Sequence, residues 1–162
     1  PMPYVAVQQM IDAPNQSGRL NYWNADFYAA LPDDAIDVFV PRATKPVSPQ
    51  SQVLVMPGGG AISRVPEEDT AFVQRNAQWN LHYLSMWEDP ADTDRNIAYT
   101  REFSGAMKPW ATGRQYLNMI GDEGVNRVEA AYGPEKFAKL QALKSKWDPT
   151  NLFCHNQNIP PA

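Results

Sequence analysis

The stretch SQVLVMPGGGAISRVPEEDTAFVQRNAQWNLHYLSMW, residues 51–87, decides the fold. It opens on an apolar β-type run, SQVLVMP, closed by Pro57 and three glycines. It ends on a run that alternates Trp79, Leu81, Tyr83, Ser85 and Trp87 against Asn80, His82, Leu84 and Met86. A period of two sends the first set to one side of a strand and the second set to the other. No segment of helical period and length lies between the two runs, so the crossover helix that a parallel pair needs is missing. An α+β fold follows, with an antiparallel sheet covered on one face by helices.

Outward from this stretch the elements alternate in kind. RLNYWNADFYAAL (19–31) is dense in aromatics and predicts a strand passing into a helical turn near Phe27. Asp33 and Asp34 supply an N-cap and a negative first turn for a helix over DDAIDVFVPRA (33–43), bent or ended by Pro41. DPADTDRNIAYTREFSGAMKPW (89–110) places Ile97, Thr100, Phe103, Met107 and Trp110 on one side of a long amphipathic helix. RQYLNM (114–119), bounded by Gly113 and by Gly121-Asp122, predicts another strand. GVNRVEAAY (124–132) and PEKFAKLQALKSKW (134–147) predict two more helices. In the second, Pro134 suits a first helical position, and Phe137, Leu140, Leu143 or the stem of Lys144, and Trp147 form the apolar stripe. Asp148 precedes Pro149 and so ends the element.

Composition removes several functions. A chain of 162 residues, 43% hydrophobic, is long enough to bury a core. Its net charge of −4, from 18 acids against 14 bases with no basic block, argues against a nucleic-acid surface. A single cysteine, Cys154, excludes an internal disulfide, and with only His82 and His155 a closed Cys/His zinc site cannot be assembled, so no metal site is expected. No apolar run reaches the roughly 20 residues that span a bilayer, so no membrane partner is expected.

Each chemical motif has a plain structural counterpart. Gly58-Gly59-Gly60 follows a strand, but the third position of a G-x-G-x-x-G is Ser63 and SRVPEED does not look like the start of a helix, so a bulge or tight turn is expected. Glu67-Glu68-Asp69 and Glu88-Asp89 read as helix-leading acids, and Asp92-x-Asp94 lacks the glycine of a calcium loop. His82 is a base lining a pocket or a packed strand residue. On a strand, Tyr116 and Asn118 face the same way, presenting a phenol beside a carboxamide. In the tail, Asn151, Asn156, Gln157 and Asn158 surround Leu152, Phe153 and Ile159. Phe153 and Ile159 read as anchors, and amides drawn in beside them need partners.

Four pieces together, TAFVQR (70–75), MWEDPAD (86–92), RQYLNMIGDEG (114–124) and YGPEKFAKLQALKSKWDPTNLFCHNQNIPP (132–161), resemble the C-terminal half of bacterial FAD-linked oxidases of the berberine-bridge-enzyme-like family. The resemblance implies a substrate-binding α+β domain over 1–131 and a C-terminal segment over 132–162 that packs on an FAD-binding domain outside this chain. It implies an FAD-dependent oxidoreductase in which hydride passes from a C–H bond to flavin with dioxygen as acceptor, and an isolated chain that is inactive. Partners implied are the FAD-binding domain, a small-molecule substrate and a second copy of the chain. The location implied is cytoplasmic where the full-length protein has no signal peptide. By the same resemblance Tyr116 is a catalytic candidate, Asn118, Asn156 and Asn158 are cofactor-binding candidates, and Tyr83 and His82 are substrate candidates. Many relatives carry a tyrosine base directly after the asparagine of the Tyr-x-Asn pair; here that residue is Met119, which cannot take a proton. The competing reading is a non-catalytic module that binds a small ligand or a partner on the aromatic strand face around Trp79, Tyr83 and Trp87.

Overall fold

β3 (Trp79–Trp87) forms the centre of a three-stranded antiparallel sheet in the order β1-β3-β2. The computed structural model describes residues 1–119 and 125–162, with side chains described to Met119 and from Val128 onward. β1 (Leu20–Tyr28) pairs with β3 along its whole length, from Leu20 opposite Trp87 to Tyr28 opposite Trp79. This continuous ladder keeps Phe27 and Tyr28 extended, so the helical turn expected near Phe27 does not form. β2 (Gln52–Pro57) takes the other edge, from Gln52 opposite Leu84 to Pro57 opposite Trp79.

One face of the sheet is covered by α4 (Thr93–Met107), and α2 (Asp33–Ala43) packs on α4 in turn. The alternation in β3 shows why. Leu81, Tyr83 and Ser85 are almost wholly enclosed on the helix side, where Tyr83 stacks at 4.8 Å from Phe103 of α4 and Ser85 shares a 2.6 Å hydrogen bond with Thr100. Burying that face is the main stabilisation of the sheet. Pro41 lies within α2, which runs two residues past it. A proline in the last turn forgoes one hydrogen bond, and Thr44 N–H closes on the Val40 carbonyl instead.

The glycine run makes the sharp exit from β2 that was expected. At Gly58 an added Cβ would sit 2.4 Å from the Ala77 carbonyl oxygen, so only glycine fits beside that strand entry. The expectation that no helix follows is corrected: α3 (Ala61–Arg64) is one helical turn, and Glu67–Asp69 form a 3-10 turn. An unforeseen short helix, α1 (Tyr4–Gln9), precedes β1 with every residue exposed.

RQYLNM is not a strand. The chain just before it makes one isolated bridge, Ala111 with Tyr28, but 114–119 itself forms no ladder with the outer edge of β1, and Leu117–Met119 close into a 3-10 turn with Met119 N–H on the Tyr116 carbonyl at 2.9 Å. Gly121-Asp122, expected to bound that strand, lie outside the described residues, as does the start of the next expected helix. α5 (Val125–Tyr132) and α6 (Pro134–Trp147) pack together, and Leu117, Val128, Ala131 and Phe137 form a second small core against which Ile159 rests. This core draws residues from both sides of the expected boundary at 131/132.

The tail keeps only one of its two expected anchors. Ile159 is half-buried, whereas Phe153 is 77% exposed, as are Leu143 and Trp147 of α6 to a large degree. Polar contacts hold the turn instead. The Asp148 carboxylate accepts Leu152 N–H at 2.8 Å, Phe153 N–H at 3.1 Å and Lys144 Nζ at 2.5 Å, while Asn151 takes a left-handed conformation. The Lys144 bond and the two amides hold the Asp148 carboxyl below its ordinary range.

Candidate functional site on the open face of the sheet

The face turned away from α4 carries Asn21, Trp23, Ala25 and Phe27 of β1, Asn80, His82, Leu84 and Met86 of β3, and Leu54 and Met56 of β2. Parity along the strands assigns these residues, because partners across an antiparallel pair share a face. Two clefts open here. The larger, of about 390 Å³, runs from Asn15–Arg19 over Trp23 to His82 and Asn118. The smaller, of about 150 Å³, lies between Phe27, Met56, Phe72, Asn80, Tyr116 and Met119.

The 3-10 turn at Leu117–Met119 divides the two. Asn118 lines the first cleft and Tyr116 and Met119 the second, while Asn118 Nδ2 donates to the Tyr116 hydroxyl at 2.9 Å. The phenol and the carboxamide are therefore neighbours, as expected, but through a turn and a direct hydrogen bond rather than through parallel display on a strand. The Tyr116 ring packs edge-on to Phe72 at 5.5 Å, and Phe72 packs edge-on to Phe27 at 6.3 Å, which ties the turn to the sheet.

A buried polar cluster holds the same segment from the helix side. Asp26 is 0% exposed, and its Oδ1 accepts Lys108 Nζ at 3.2 Å and Gln115 Nε2 at 3.3 Å. Asn24 adjoins it, accepting Gln115 Nε2 at 3.4 Å and donating to Ser104 Oγ at 3.2 Å. Gln115 immediately precedes Tyr116, so this cluster fixes where the turn begins.

His82 and Tyr83 are adjacent in sequence and face opposite ways. His82 is half-buried in the larger cleft, its Nε2 buried with no partner among the described residues, and burial holds its pKa below the ordinary value. Tyr83, expected beside it as a substrate contact, lies under α4 at 1% exposure with its hydroxyl 2.8 Å from that of Tyr28. Burial pushes both phenols well above the normal tyrosine range. Strand parity excludes Tyr83 from the open face; Tyr83 and Trp87 of the aromatic row are core, while Trp79 is half-buried and lines the smaller cleft.

Asn156 and Asn158 line neither cleft. Asn156 is exposed with φ of 57°, Asn158 N–H donates to the Asn156 carbonyl at 2.8 Å, and Asn158 Oδ1 is buried with no partner among the described residues. Ile159, the next residue, packs on the small core that contains Leu117, so the tail and the Tyr116–Asn118 turn rest on common packing. Sequence reasoning passed over Asn80 and Trp23 as site residues. The parity that places His82 on the open face also places Asn80 there. No group of three or more His, Cys, Asp or Glu suited to a metal occurs among the described residues.

Neutral His82 carries a pH signature. Its folded pKa lies below the unfolded value of about 6.5, so below that pH the unfolded chain binds more protons. Stability is full above about 6.5 and falls as pH drops from there toward the folded value. His82→Gln should flatten the slope of unfolding free energy as pH falls below about 6.5, measured by urea titration. An unaltered slope in His82→Gln refutes the assignment.

Comparisons with known proteins converge on one family. Residues 115–160 match the family described as "Berberine and berberine like". The chain is 31% identical over 140 residues to an uncharacterised FAD-linked oxidoreductase of Bacillus subtilis, covering 86% of this chain and 30% of that protein. It is 28% identical over 162 residues to an FAD-linked oxidoreductase of Dictyostelium discoideum, covering 99% of this chain and 35% of that one. The chain thus spans about a third of the length of these relatives. Among solved structures, a grass pollen allergen with glucose dehydrogenase activity, Phl p 4, shares the fold with a TM-score of 0.81 at 18% identity, over 99% of this chain and 39% of its own. A berberine-bridge-enzyme-like protein of Physcomitrella patens gives 0.78 at 24% identity, over 89% of this chain and 31% of its own.

Proposed function

We propose that this chain is the substrate-facing sheet and C-terminal segment of an FAD-linked oxidoreductase of the berberine-like family. The observation that carries the proposal is that the matched segment 115–160 contains the turn from which Asn118 lines the larger cleft together with His82, and Tyr116 and Met119 line the smaller one. FAD is held chiefly by a domain outside this chain. The residues here suit a flavin edge: Asn118 and Asn158 offer amides able to donate and accept, and Asn118 is exposed at the rim of the larger cleft. Bound beside these residues, FAD would supply the two-electron acceptor for a substrate C–H bond, with dioxygen as the terminal acceptor. This chain binds and orients the substrate on the sheet, excludes water with Phe27, Phe72 and Met56, and holds neutral His82 as a proton acceptor. Tyr116 acts through its hydroxyl, whose orientation Asn118 sets. Met119 leaves the position after Asn118 without a base.

Of the aromatic face on which a binding module would rely, Tyr83 and Trp87 are enclosed and Trp79 alone reaches a cleft, which favours the oxidoreductase reading. The exposed apolar groups of α6 and the tail, Leu143, Trp147, Leu152 and Phe153, form the surface expected to meet the FAD-binding domain.

The test is a chimera in which this chain replaces the matching part of the Bacillus subtilis relative. It should retain FAD, and Asn118→Leu should shift the flavin absorbance bands and weaken FAD retention roughly tenfold, the scale of one lost hydrogen bond to a ligand. A folded chimera that carries no FAD refutes the proposal, as does an Asn118→Leu variant with an unchanged flavin spectrum.

A further inference from the structure

Two cations converge on Phe72, and neither forms an ion pair with a carboxylate among the described residues. Arg75 is 9% exposed. Its Nη1 donates to the Ile62 carbonyl at 3.1 Å, its Nη2 to Thr70 Oγ1 at 2.5 Å, and its guanidinium lies over the Phe72 ring, 5.3 Å from the centroid. Lys136, half-buried in the first turn of α6, donates through Nζ to the carbonyls of Glu67 and Phe72, the latter at 3.2 Å. A guanidinium enclosed without a counter-charge is costly, so its position is explained by what it holds.

Both cations hold the connection between β2 and β3, which carries only α3 and the 3-10 turn at Glu67–Asp69 and has no ladder to fix it. Arg75 ties Ile62 to Thr70, and Lys136 ties Glu67 and Phe72 to a helix more than 60 residues further along the chain. Phe72 receives both, an ammonium on its carbonyl and a guanidinium over its ring face, where a cation is attracted by the ring's negative centre. The ring so held packs edge-on to Tyr116 at 5.5 Å with the planes 75° apart. Tyr116 lies in no strand, and Phe72 is therefore a main support for the direction of its phenol.

We propose that Arg75 and Lys136 are positioning residues: together they set the Phe72 ring, and through it the Tyr116 phenol in the wall of the smaller cleft. The inference rests on Tyr116 belonging to the substrate face, and it names the two residues that orient it.

The test follows the Tyr116 ring signals in aromatic carbon–proton spectra of the chain itself, with Phe72→Leu supplying the position they take when no ring faces the phenol. Lys136→Met and Arg75→Lys should each shift them toward that position; Arg75→Lys keeps the charge and loses the fork that reaches both Ile62 and Thr70. In the Phe72→Leu background neither substitution should move the signals further, because the ring that carries the effect is gone. Lys139→Met removes the same charge one turn along α6 and should leave the signals in place. Where either variant fails to fold, Lys136→Gln or Arg75→Gln, each a shorter neutral donor, takes its place with the same expectation. Tyr116 signals that stay put in either variant, that shift equally in Lys139→Met, or that shift as far in the Phe72→Leu background each overturn the proposal. Flavin plays no part in these spectra, so their outcome and that of the chimera are separate.

Discussion

Phe103→Ala is expected to remove about 3–5 kcal/mol of stability, a large part of the 5–15 kcal/mol a domain of this kind possesses. Phe103 is 1% exposed in α4 and meets three rings, Tyr83 at 4.8 Å, Phe39 at 5.4 Å and Tyr99 at 6.0 Å. It therefore joins the sheet, α4 and α2 at one point, and truncation opens a void that rings fixed by hydrogen bonds cannot fill. Tyr83 is held by Tyr28, and Tyr99 donates to the Arg42 carbonyl at 2.7 Å. The comparison is Phe153→Ala, which deletes the same atoms from a side chain that buries little and should cost under about 0.5 kcal/mol. Chemical denaturation of both variants checks the ranking; equal losses would mean that the main core does not depend on this ring.

The parts that could be read in advance are those governed by local periodicity. Alternation in 79–87 marked the strand, its two faces and, since no helix of crossover length precedes it, the antiparallel sheet. Of the stripe Ile97, Thr100, Phe103, Met107 and Trp110, the middle three lie buried in α4, while Ile97 is half-buried and Trp110 falls in a 3-10 turn beyond the helix. The failures occur where a residue's surroundings come from distant chain. RQYLNM has a strand's composition, but a strand needs a ladder, and this segment meets the β1 edge through Gln115 and the polar pair Asn24 and Asp26, about 90 residues away. Tyr83 was a substrate candidate by the family resemblance, and the strand alternation places it under α4, on the side opposite His82. The stripe on α6 was real as a pattern, yet only Phe137 is fully buried; Leu140 and the stem of Lys144 are partly covered, and Leu143 and Trp147 remain exposed. The candidate site was thus legible as a set of residue types, His82, Tyr116 and Asn118, and not as a geometry, because a 3-10 turn rather than a strand brings them together.

The long-range contact at Gln115 can be tested for its reach. Lys108→Met keeps the aliphatic stem and removes the ammonium that meets Asp26 Oδ1 at 3.2 Å. Breaking a fully buried pair costs about 3–5 kcal/mol, because a charge is left behind in a poor solvent. The Lys108 side chain is 49% exposed while Asp26 is 0% exposed, so water screens half of the pair and a loss of roughly 2–3 kcal/mol is expected. Arg114→Gln breaks a pair with Glu67 of similar length, 3.1 Å, in which both partners are accessible, and should cost at most about 1 kcal/mol. The two differ further in what they disturb. The carboxylate oxygen that loses Lys108 also accepts Gln115, the residue that starts the Tyr116–Asn118 turn. Lys108→Met should therefore accelerate hydrogen exchange at the Met119 amide, which donates to the Tyr116 carbonyl, under conditions where the β3 amides stay protected. If Lys108→Met loses no more stability than Arg114→Gln, or exchanges uniformly across the sheet and the turn, then Asp26 is a core charge with no hold on the open face, and the position of Asn118 is set by the small core around Leu117 alone.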